Sequence, residues 1–336
     1  MNAWEIQNAG GISSLAAVTR PSPRPGPWDI VVRVRAVSLN YRDLLHVQGF
    51  ADTDRWPLVP CSDGAGEVLA VGERVTRFKV GDAVAGTFFQ RWIAGEMNEV
   101  VMESALGGRE QGMLCHEVCL HEDGAVAIPS GWTFAQAATL PCAALTAWHA
   151  LVTRGHLTAG ETVLALGTGG VALYALQIAK LHGAQVIITS GSDEKLARAK
   201  ALGADHTINY RTHPDWDEKV LELTGGRGVD HVVELGGAGT LEKSCLAARY
   251  GGKVWLIGVL TGFAGTANPL HILRKSLTLQ GIYVGSREMF EAMNMAFSAN
   301  GLQPMIDRAF PFAEARDAFQ CMQEAGHFGK LVITID

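Results

Sequence analysis

The sequence predicts an α/β protein in two parts, a β-rich domain and a domain built on a doubly wound parallel sheet. Strand periodicity marks the first third, in the alternating IVVRVRAVS of Ile30 to Ser38 and the glycine-punctuated GAGEVLAVGERV of Gly64 to Val75. From about Thr133 helical and strand-like segments alternate, and that order implies right-handed crossovers and a parallel sheet. A third observation marks one turn of the second part. Thr162 to Ala172 reads TVLALGTGGVA, an apolar strand running into Gly167-Thr168-Gly169-Gly170-Val171-Ala172 and then into the helical pattern Tyr174 to Lys180. Glycines in that context permit a tight turn and let the backbone approach a pyrophosphate at the positive end of the new helix.

Taken in order, Arg20 to Pro27 (RPSPRPGP) is a connection, because proline donates no backbone N–H to a sheet. Gly81 to Gly86 and Glu99 to Met102 read as short strands, and Thr87 to Leu114 as a long loop without clear periodicity, where ligand choice would be set. Phe134 to Leu151, Ala172 to His182 and Glu194 to Leu202 read as helices. Strands are expected at Thr162 to Leu166, Gln185 to Thr189, His206 to Asn209, His231 to Glu234, Lys253 to Ile257 and Thr278 to Tyr283. The tail adds helices at Arg287 to Ala299 and Phe312 to Ala325 and a last strand at Lys330 to Ile335. The chain of 336 residues, 48% hydrophobic, can bury two cores.

Composition removes several classes of function. A net charge of -6 offers no basic field for a phosphate backbone, so no nucleic-acid partner is expected. No apolar run approaches the roughly 20 residues that span a bilayer, and MNAWEIQNAGG lacks a basic segment followed by an apolar one, so a cytoplasmic protein is expected. The six cysteines are scattered, which suits reduced thiols.

Asn40-Tyr41-Arg42-Asp43, Pro60 to Val68 (PCSDGAGEV), Val80 to Val84 (VGDAV), Ala137 to Trp148 (AATLPCAALTAW), the Gly167 turn, Ala199 to Tyr210 (AKALGADHTINY) and Gly329 to Val332 (GKLV) follow one another along nearly the whole chain. In this order they resemble the medium-chain dehydrogenase/reductase superfamily, in particular its zinc-independent quinone oxidoreductase branch. The resemblance implies a discontinuous GroES-like catalytic domain, residues 1–130 and 275–336, with a Rossmann domain over 131–274 and an active site in the cleft between them. It also implies a homodimer paired through the last Rossmann strands around Leu277 to Val284.

Zinc-dependent members place a Cys where Asn40 stands, a His-Glu pair where Ser62-Asp63 stand and a Cys at Cys142. Only Cys142 matches, and one thiol with an Asp or Asn does not supply the three strong ligands of a catalytic zinc, so no zinc is expected. Within LCHEVCLHEDG a strand would put Cys115, Cys119 and His121 on one face, with His116 on the other; a strand with small buried thiols and exposed imidazoles is the simpler reading.

For the cofactor, the acid that binds the ribose hydroxyls in NAD-binding relatives is replaced by Ser190. Lys195 lies close behind and could supply the charge for a 2′-phosphate, a solvated lysine in the first turn of its helix being the alternative, while Tyr210 and Arg211 resemble the pair that lines the adenine phosphate pocket in this branch, which favours NADPH over NADH. Asp193 or Glu194, turned inward, would reverse that preference. Thr146 matches a residue that approaches the nicotinamide, the backbone of Gly258 and Val259 could bind the carboxamide, and Lys330 could approach the cofactor from the tail. Gly167, Gly169, Gly170 and Val171 complete the cofactor set.

Asn40 is the first candidate for a polar group that binds the acceptor, Tyr41 a hydroxyl donor beside it, and Asp43 a cap or orienting group for the segment. Acyl-thioester reductases carry a tyrosine in a Gly-Tyr-Pro-like stretch after this motif; here Gly49-Phe50-Ala51 stands instead, and a phenyl ring donates no proton. The reading is an NADPH-dependent, metal-independent oxidoreductase acting on a quinone or an α,β-unsaturated carbonyl compound. Two alternatives stay open: a zinc-type alcohol dehydrogenase with a degenerate site at Cys142 and Asp63, and a non-catalytic NAD(P)H-binding protein.

Overall fold

The computed structural model describes residues 1–49 and 56–336, which divide into two compact units, Met1–Leu145 with Val284–Asp336, and Thr146–Tyr283. In the first unit Asp29–Ser38 is the central strand. It pairs antiparallel with Asp63–Val71 on one side and with both Lys330–Thr334 and Glu117–His121 on the other. Beyond them lie Ala83–Gly86 and Ala125–Ala127 at one end and Ile306–Pro311 at the other. Ile30, Val32, Val34, Val68, Leu331 and Ile333 bury the core-facing side chains of these strands completely.

The second unit holds six parallel strands: Thr162–Ala165, Gln185–Ser190, His206–Asn209, Val229–Glu234, Ala248–Leu256 and Thr278–Gly281. Numbered in that sequence order they lie 3-2-1-4-5-6 across the sheet. The order reverses between the first and fourth strands, and open sheets of this kind bind ligands beyond the carboxyl ends at that point. Val163, Leu164, Val186, Ile187, Ile188, Val232 and Val233 are fully buried, as strands covered on both faces require.

Four expectations change. The boundary expected after residue 130 falls after Leu145, because Thr133 to Leu145 docks on the first unit: the backbone N–H of Cys142 donates to Asp63 Oδ2 at 3.0 Å and Gln136 Nε2 to Gln303 Oε1 at 2.6 Å. The second boundary, expected after 274, falls after Tyr283, because Thr278–Gly281 pairs in parallel with Ala248–Leu256. Glu99–Met102 is a helical turn rather than a strand, since Asn98 caps it by accepting from the Val101 N–H at 3.0 Å. The helix expected over 134 to 151 is broken into α-turns at Phe134–Ala137 and Leu145–Trp148 and wider π-turns at Leu140–Ala144 and His149–Arg154. Pro141, without an N–H, sits at the start of the first wide turn.

The long Thr87 to Leu114 segment is packed, not loose. Phe88, Phe89, Trp92, Leu106, Met113 and Leu114 are buried, Leu106 N–H donates to Phe88 O at 3.0 Å, and the Arg42 guanidinium lies 4.6 Å over the Phe88 ring while donating to Leu106 O at 2.7 Å.

The close pairing of Asp29–Ser38 with Asp63–Val71 depends on Gly66, where a Cβ would lie 1.9 Å from Arg33 O. Gly66→Ala is therefore expected to destabilise the protein by about 1–3 kcal/mol or more, read as a lower urea midpoint. An unchanged midpoint would mean that the strands separate there at no cost.

Candidate functional site

In the first unit the site grows from the end of the central strand. Asn40 follows Ser38-Leu39, and its backbone N–H donates to Asp43 Oδ2 at 2.8 Å, which caps the short helix Tyr41–Val47. Lys330, at the start of the last strand and 3% exposed, donates from Nζ to Leu39 O and to Asn40 Oδ1, both at 2.6 Å. With Oδ1 held, the Asn40 amide has Nδ2 buried and short of a well-formed hydrogen bond, directed at the Asp63 carboxylate, whose charged form it favours. Asp63 completes the cluster, accepting from Ser62 Oγ at 2.6 Å and from the Cys142 N–H. Two residues before it Cys61 has φ 71°, a left-handed conformation held by backbone bonds from Gly112 N–H to Val59 O, Leu114 N–H to Pro60 O and Met113 N–H to Cys61 O.

Burial dominates the electrostatics. It raises the Asp43 carboxyl to about 6 against the opposing charge of Arg42, and raises Asp63 against the opposing charge of Lys330. Burial, with the Asp63 charge added, pushes the Cys142 thiol well above the ordinary range. Burial and then the Arg42 charge drive His46 down to about 3, so this imidazole is neutral in the folded protein. Tyr41 stands at the rim, 39% exposed. Phe50 and Ala51 lie outside the described residues.

In the second unit the turn after Thr162–Ala165 has Gly167 at φ 82°, and the helix Gly170–Leu181 starts directly after Gly169. Its first internal bond is Leu173 N–H to Gly169 O, so the N–H groups of Gly170, Val171 and Ala172 point out of the helix end without an intrahelical acceptor. At the end of the second strand Ser190 is buried, and its Oγ accepts from Ser192 N–H at 3.3 Å. A Cβ on Gly191 would meet Tyr210 Oη at 2.8 Å and Arg211 Nε at 2.9 Å. Ser190, Gly191, Tyr210 and Arg211 thus form one cradle, with Lys195 beginning the next helix from a backbone N–H bonded to Ser192 Oγ. Asp193 is turned to Asn209 Nδ2 at 2.7 Å and Glu194 is exposed.

The loops after the fourth and fifth strands are tied by Glu234. Its carboxylate accepts from the N–H groups of Gly236 and Gly237 at 2.7 and 2.9 Å, from Thr240 Oγ1 at 2.6 Å and from Ser244 Oγ. A Cβ on Gly237 would meet Gly258 O at 2.9 Å and Val259 Cα at 3.0 Å. Gly258 and Val259 are therefore held against this turn. Thr146 is buried at the start of the unit.

A family model described as Alcohol dehydrogenase GroES-like domain matches residues 26–130, and one described as Zinc-binding dehydrogenase matches residues 170–299. The chain is 40% identical to a zinc-type alcohol dehydrogenase-like protein of Schizosaccharomyces pombe, over 92% of each chain. The chain belongs to the medium-chain dehydrogenase/reductase superfamily. This dehydrogenase/reductase is also 35% identical to a Quinone oxidoreductase of Pseudomonas aeruginosa, over 87% of its own length and 82% of that protein. It matches the crystal structure of an NAD-dependent alcohol dehydrogenase with a TM-score of 0.92 at 34% identity, covering 100% of both chains. It is an NAD(P)H-dependent oxidoreductase with a GroES-like domain and a Rossmann-like domain.

The second unit of the dehydrogenase/reductase fits a dinucleotide, since the helix end suits a pyrophosphate and the missing side chain at Gly191 lets Tyr210 and Arg211 close in at the end of the second strand. The first unit does not fit a zinc ion. Asn40 Oδ1 is taken by an ammonium, both Asp63 oxygens accept protein hydrogen bonds, and Cys142 is the one thiol at these three positions. The second cysteine cluster disperses: Cys115 Sγ bonds Glu117 O, Cys119 Sγ bonds Arg24 O, His116 packs on Phe312 with ring centroids 4.8 Å apart, and His121 Nδ1 caps Asp123 N–H. His116 is thus half-buried rather than exposed. Among the described residues no group of three His, Cys, Asp or Glu side chains could hold a metal ion.

Lys330, expected to approach the cofactor from the tail, donates to Leu39 O and Asn40 Oδ1 inside the first unit. The sequence left Arg42 without a role although it stands in the Asn40-Tyr41-Arg42-Asp43 motif, suggested a structural part for His46, and signalled Glu234 only as an acid at a strand end followed by Gly236-Gly237.

His46 sets a pH dependence. Its folded value, about 3, lies below the ordinary 6.5, so the unfolded chain binds a proton that the folded protein refuses, and stability is lost as pH falls from 6.5 towards 3. Against His46→Gln, the native protein should lose on the order of 2–3 kcal/mol between pH 7.5 and 4.5. Asp43, protonated up to about pH 6, works in the opposite direction but is common to both proteins and cancels. Parallel urea curves at the two pH values would refute a neutral His46.

Proposed function

We propose that this protein is an NADPH-dependent, metal-independent reductase of quinones or α,β-unsaturated carbonyl compounds. The observation that carries the reading is the group at the end of the second strand, where buried Ser190 stands beside Gly191, Tyr210 and Arg211 and no acid is placed for a free ribose, together with a first unit whose Asn40 and Asp63 oxygens are engaged by protein donors. When bound, a reduced nicotinamide dinucleotide supplies a hydride. Thr146, Gly167, Gly169, Gly170 and Val171 with the backbone of Gly258 and Val259 would hold it, and Ser190, Lys195, Tyr210 and Arg211 would bind its 2′-phosphate. Asp193 is engaged by Asn209 Nδ2 and Glu194 is exposed, which supports the phosphate over the free ribose. Asn40 binds the acceptor oxygen, Tyr41 offers a hydroxyl at the rim, and Asp43 positions Asn40 through the backbone bond. Quinone reduction needs no enzyme acid at carbon, since hydroquinone oxygens exchange protons with water.

The test follows dinucleotide oxidation by EDTA-treated protein with a panel of small quinones and a short enone. Turnover is expected to survive chelation and to favour NADPH over NADH at least tenfold, and Ser190→Asp should reverse that preference. Activity abolished by chelation, or alcohol oxidation alone, would overturn the reading in favour of a zinc-type alcohol dehydrogenase. Tight NADPH binding without turnover on any acceptor would favour a non-catalytic binding protein.

A cytoplasmic homodimer completes the proposal. The strand Thr278–Gly281 ends the six-stranded sheet, and Leu260 and Leu273 are exposed near it in sequence, which suits edge-to-edge pairing with a second copy. Light scattering at micromolar concentration should return about twice the chain mass, and a monomer there would rule the pairing out.

A further inference from the structure

Glu234 is fully buried where the fourth strand of the second unit ends. A buried carboxylate is costly unless its oxygens are answered. Here Oε1 accepts from Gly236 N–H, Gly237 N–H and Thr240 Oγ1, and Oε2 accepts from Ser244 Oγ. All four donors come from the next ten residues, so the charge folds the chain back into one tight turn, with Gly237 at φ 89°. The loop after the fifth strand leans on this turn. Ile257 N–H and Gly258 N–H both donate to Glu234 O, at 2.9 and 3.1 Å. Thr261 donates to Gly236 O from its N–H at 2.8 Å and from Oγ1 at 2.9 Å, and Gly239 N–H donates to Thr261 Oγ1 at 2.8 Å. A Cβ on Gly258 would lie 2.0 Å from Leu235 O, so the two backbones are in contact. Between these anchors the N–H groups of Val259 and Leu260 have no acceptor among the described residues.

Ser190 stands at the end of the second strand. A dinucleotide running from there along the carboxyl ends, across the point where the strand order reverses, brings its other half to the fourth and fifth strands. We infer that Glu234 is a positioning residue for the nicotinamide half. Through the 236–240 turn it holds the 257–261 loop so that the N–H groups of Val259 and Leu260 meet the carboxamide oxygen of the nicotinamide. The inference rests on the proposed binding of NADPH through Gly258 and Val259, and it adds the residue that sets their place.

Calorimetry on the whole protein compares NADPH with 2′-phospho-ADP-ribose, which lacks the nicotinamide. Glu234→Ala should weaken NADPH about tenfold and leave 2′-phospho-ADP-ribose within about twofold of the native affinity. Glu234→Gln keeps an acceptor oxygen in the turn and should recover most of the loss. Thr261→Val removes an exposed hydroxyl that bridges the two loops, and it should show the same selective loss in smaller degree. The fluorescence of bound NADPH reports how firmly the nicotinamide ring is held. At saturation it should move toward that of the free dinucleotide in Glu234→Ala.

A loss of both ligands alike in Glu234→Ala and Thr261→Val would show a carboxylate that only supports the fold, and the inference would be overturned. Equal native affinity for the two ligands would overturn it as well, since the nicotinamide half would then find no contact. If Glu234→Ala does not fold, Thr261→Val decides between these outcomes. Should the native protein prefer NADH and ADP-ribose, the NADPH proposal fails, and the selective loss at Glu234, read with that pair, still upholds the positioning role.

Discussion

Antiparallel pairing between Lys330–Thr334 and the end of Asp29–Ser38 is the constraint from which the first unit follows. Val332 lies opposite Ser38, Ser38 Oγ donates to Leu331 O at 3.1 Å, and Leu39 N–H returns a bond to the same carbonyl. This register brings Lys330 to Leu39 and Asn40 across 290 residues of chain. Lys330, Leu331, Val332 and Ile333 are all buried, so both faces of this strand are covered, and a slip of one residue would exchange the face that carries Lys330 with the Leu331 and Ile333 face. The register therefore sets the chemistry at Asn40.

The charges gathered there are tolerated because each is answered. Asp43 accepts a backbone N–H, Asp63 accepts a hydroxyl and a backbone N–H, Lys330 donates to two oxygens, and Arg42 donates to Leu106 O while lying over Phe88. Removing one partner would strand another in a low-dielectric interior, a penalty of several kcal/mol that makes the cluster rigid. Arg42 also ties the packed 87–114 segment to the helix that follows Asn40, so the residues that would shape acceptor choice share an anchor with the polar site.

In the second unit the same logic works through backbone. Glu234 spends one carboxylate on two glycine N–H groups and two hydroxyls, which fixes a turn that side chains would obstruct, since Gly237 and Gly258 each face main chain at close range. At Gly191 the missing side chain lets Tyr210 Oη and Arg211 Nε close in, and at Gly170 the helix end keeps its first N–H groups open.

The sequence by itself determined the elements whose cause is local. The strands beginning at Thr162, Gln185 and His206, the helix after the Gly167 turn and the strand at Lys330 show in apolar periodicity and glycine placement, as does the wound parallel sheet. Asn40 and Ser190 stood out because the residue types there differ from those a metal or a free ribose would need. Tertiary structure decided the rest. The helical turn at Glu99–Met102 depends on an Asn98 cap that outweighs β-branched valines, and the domain boundaries depend on what Thr133 to Leu145 and Thr278–Gly281 pack against. The orientation of the Asn40 amide depends on a lysine 290 residues away, and such a contact leaves no trace in local pattern because it exists only when the last strand closes the sheet.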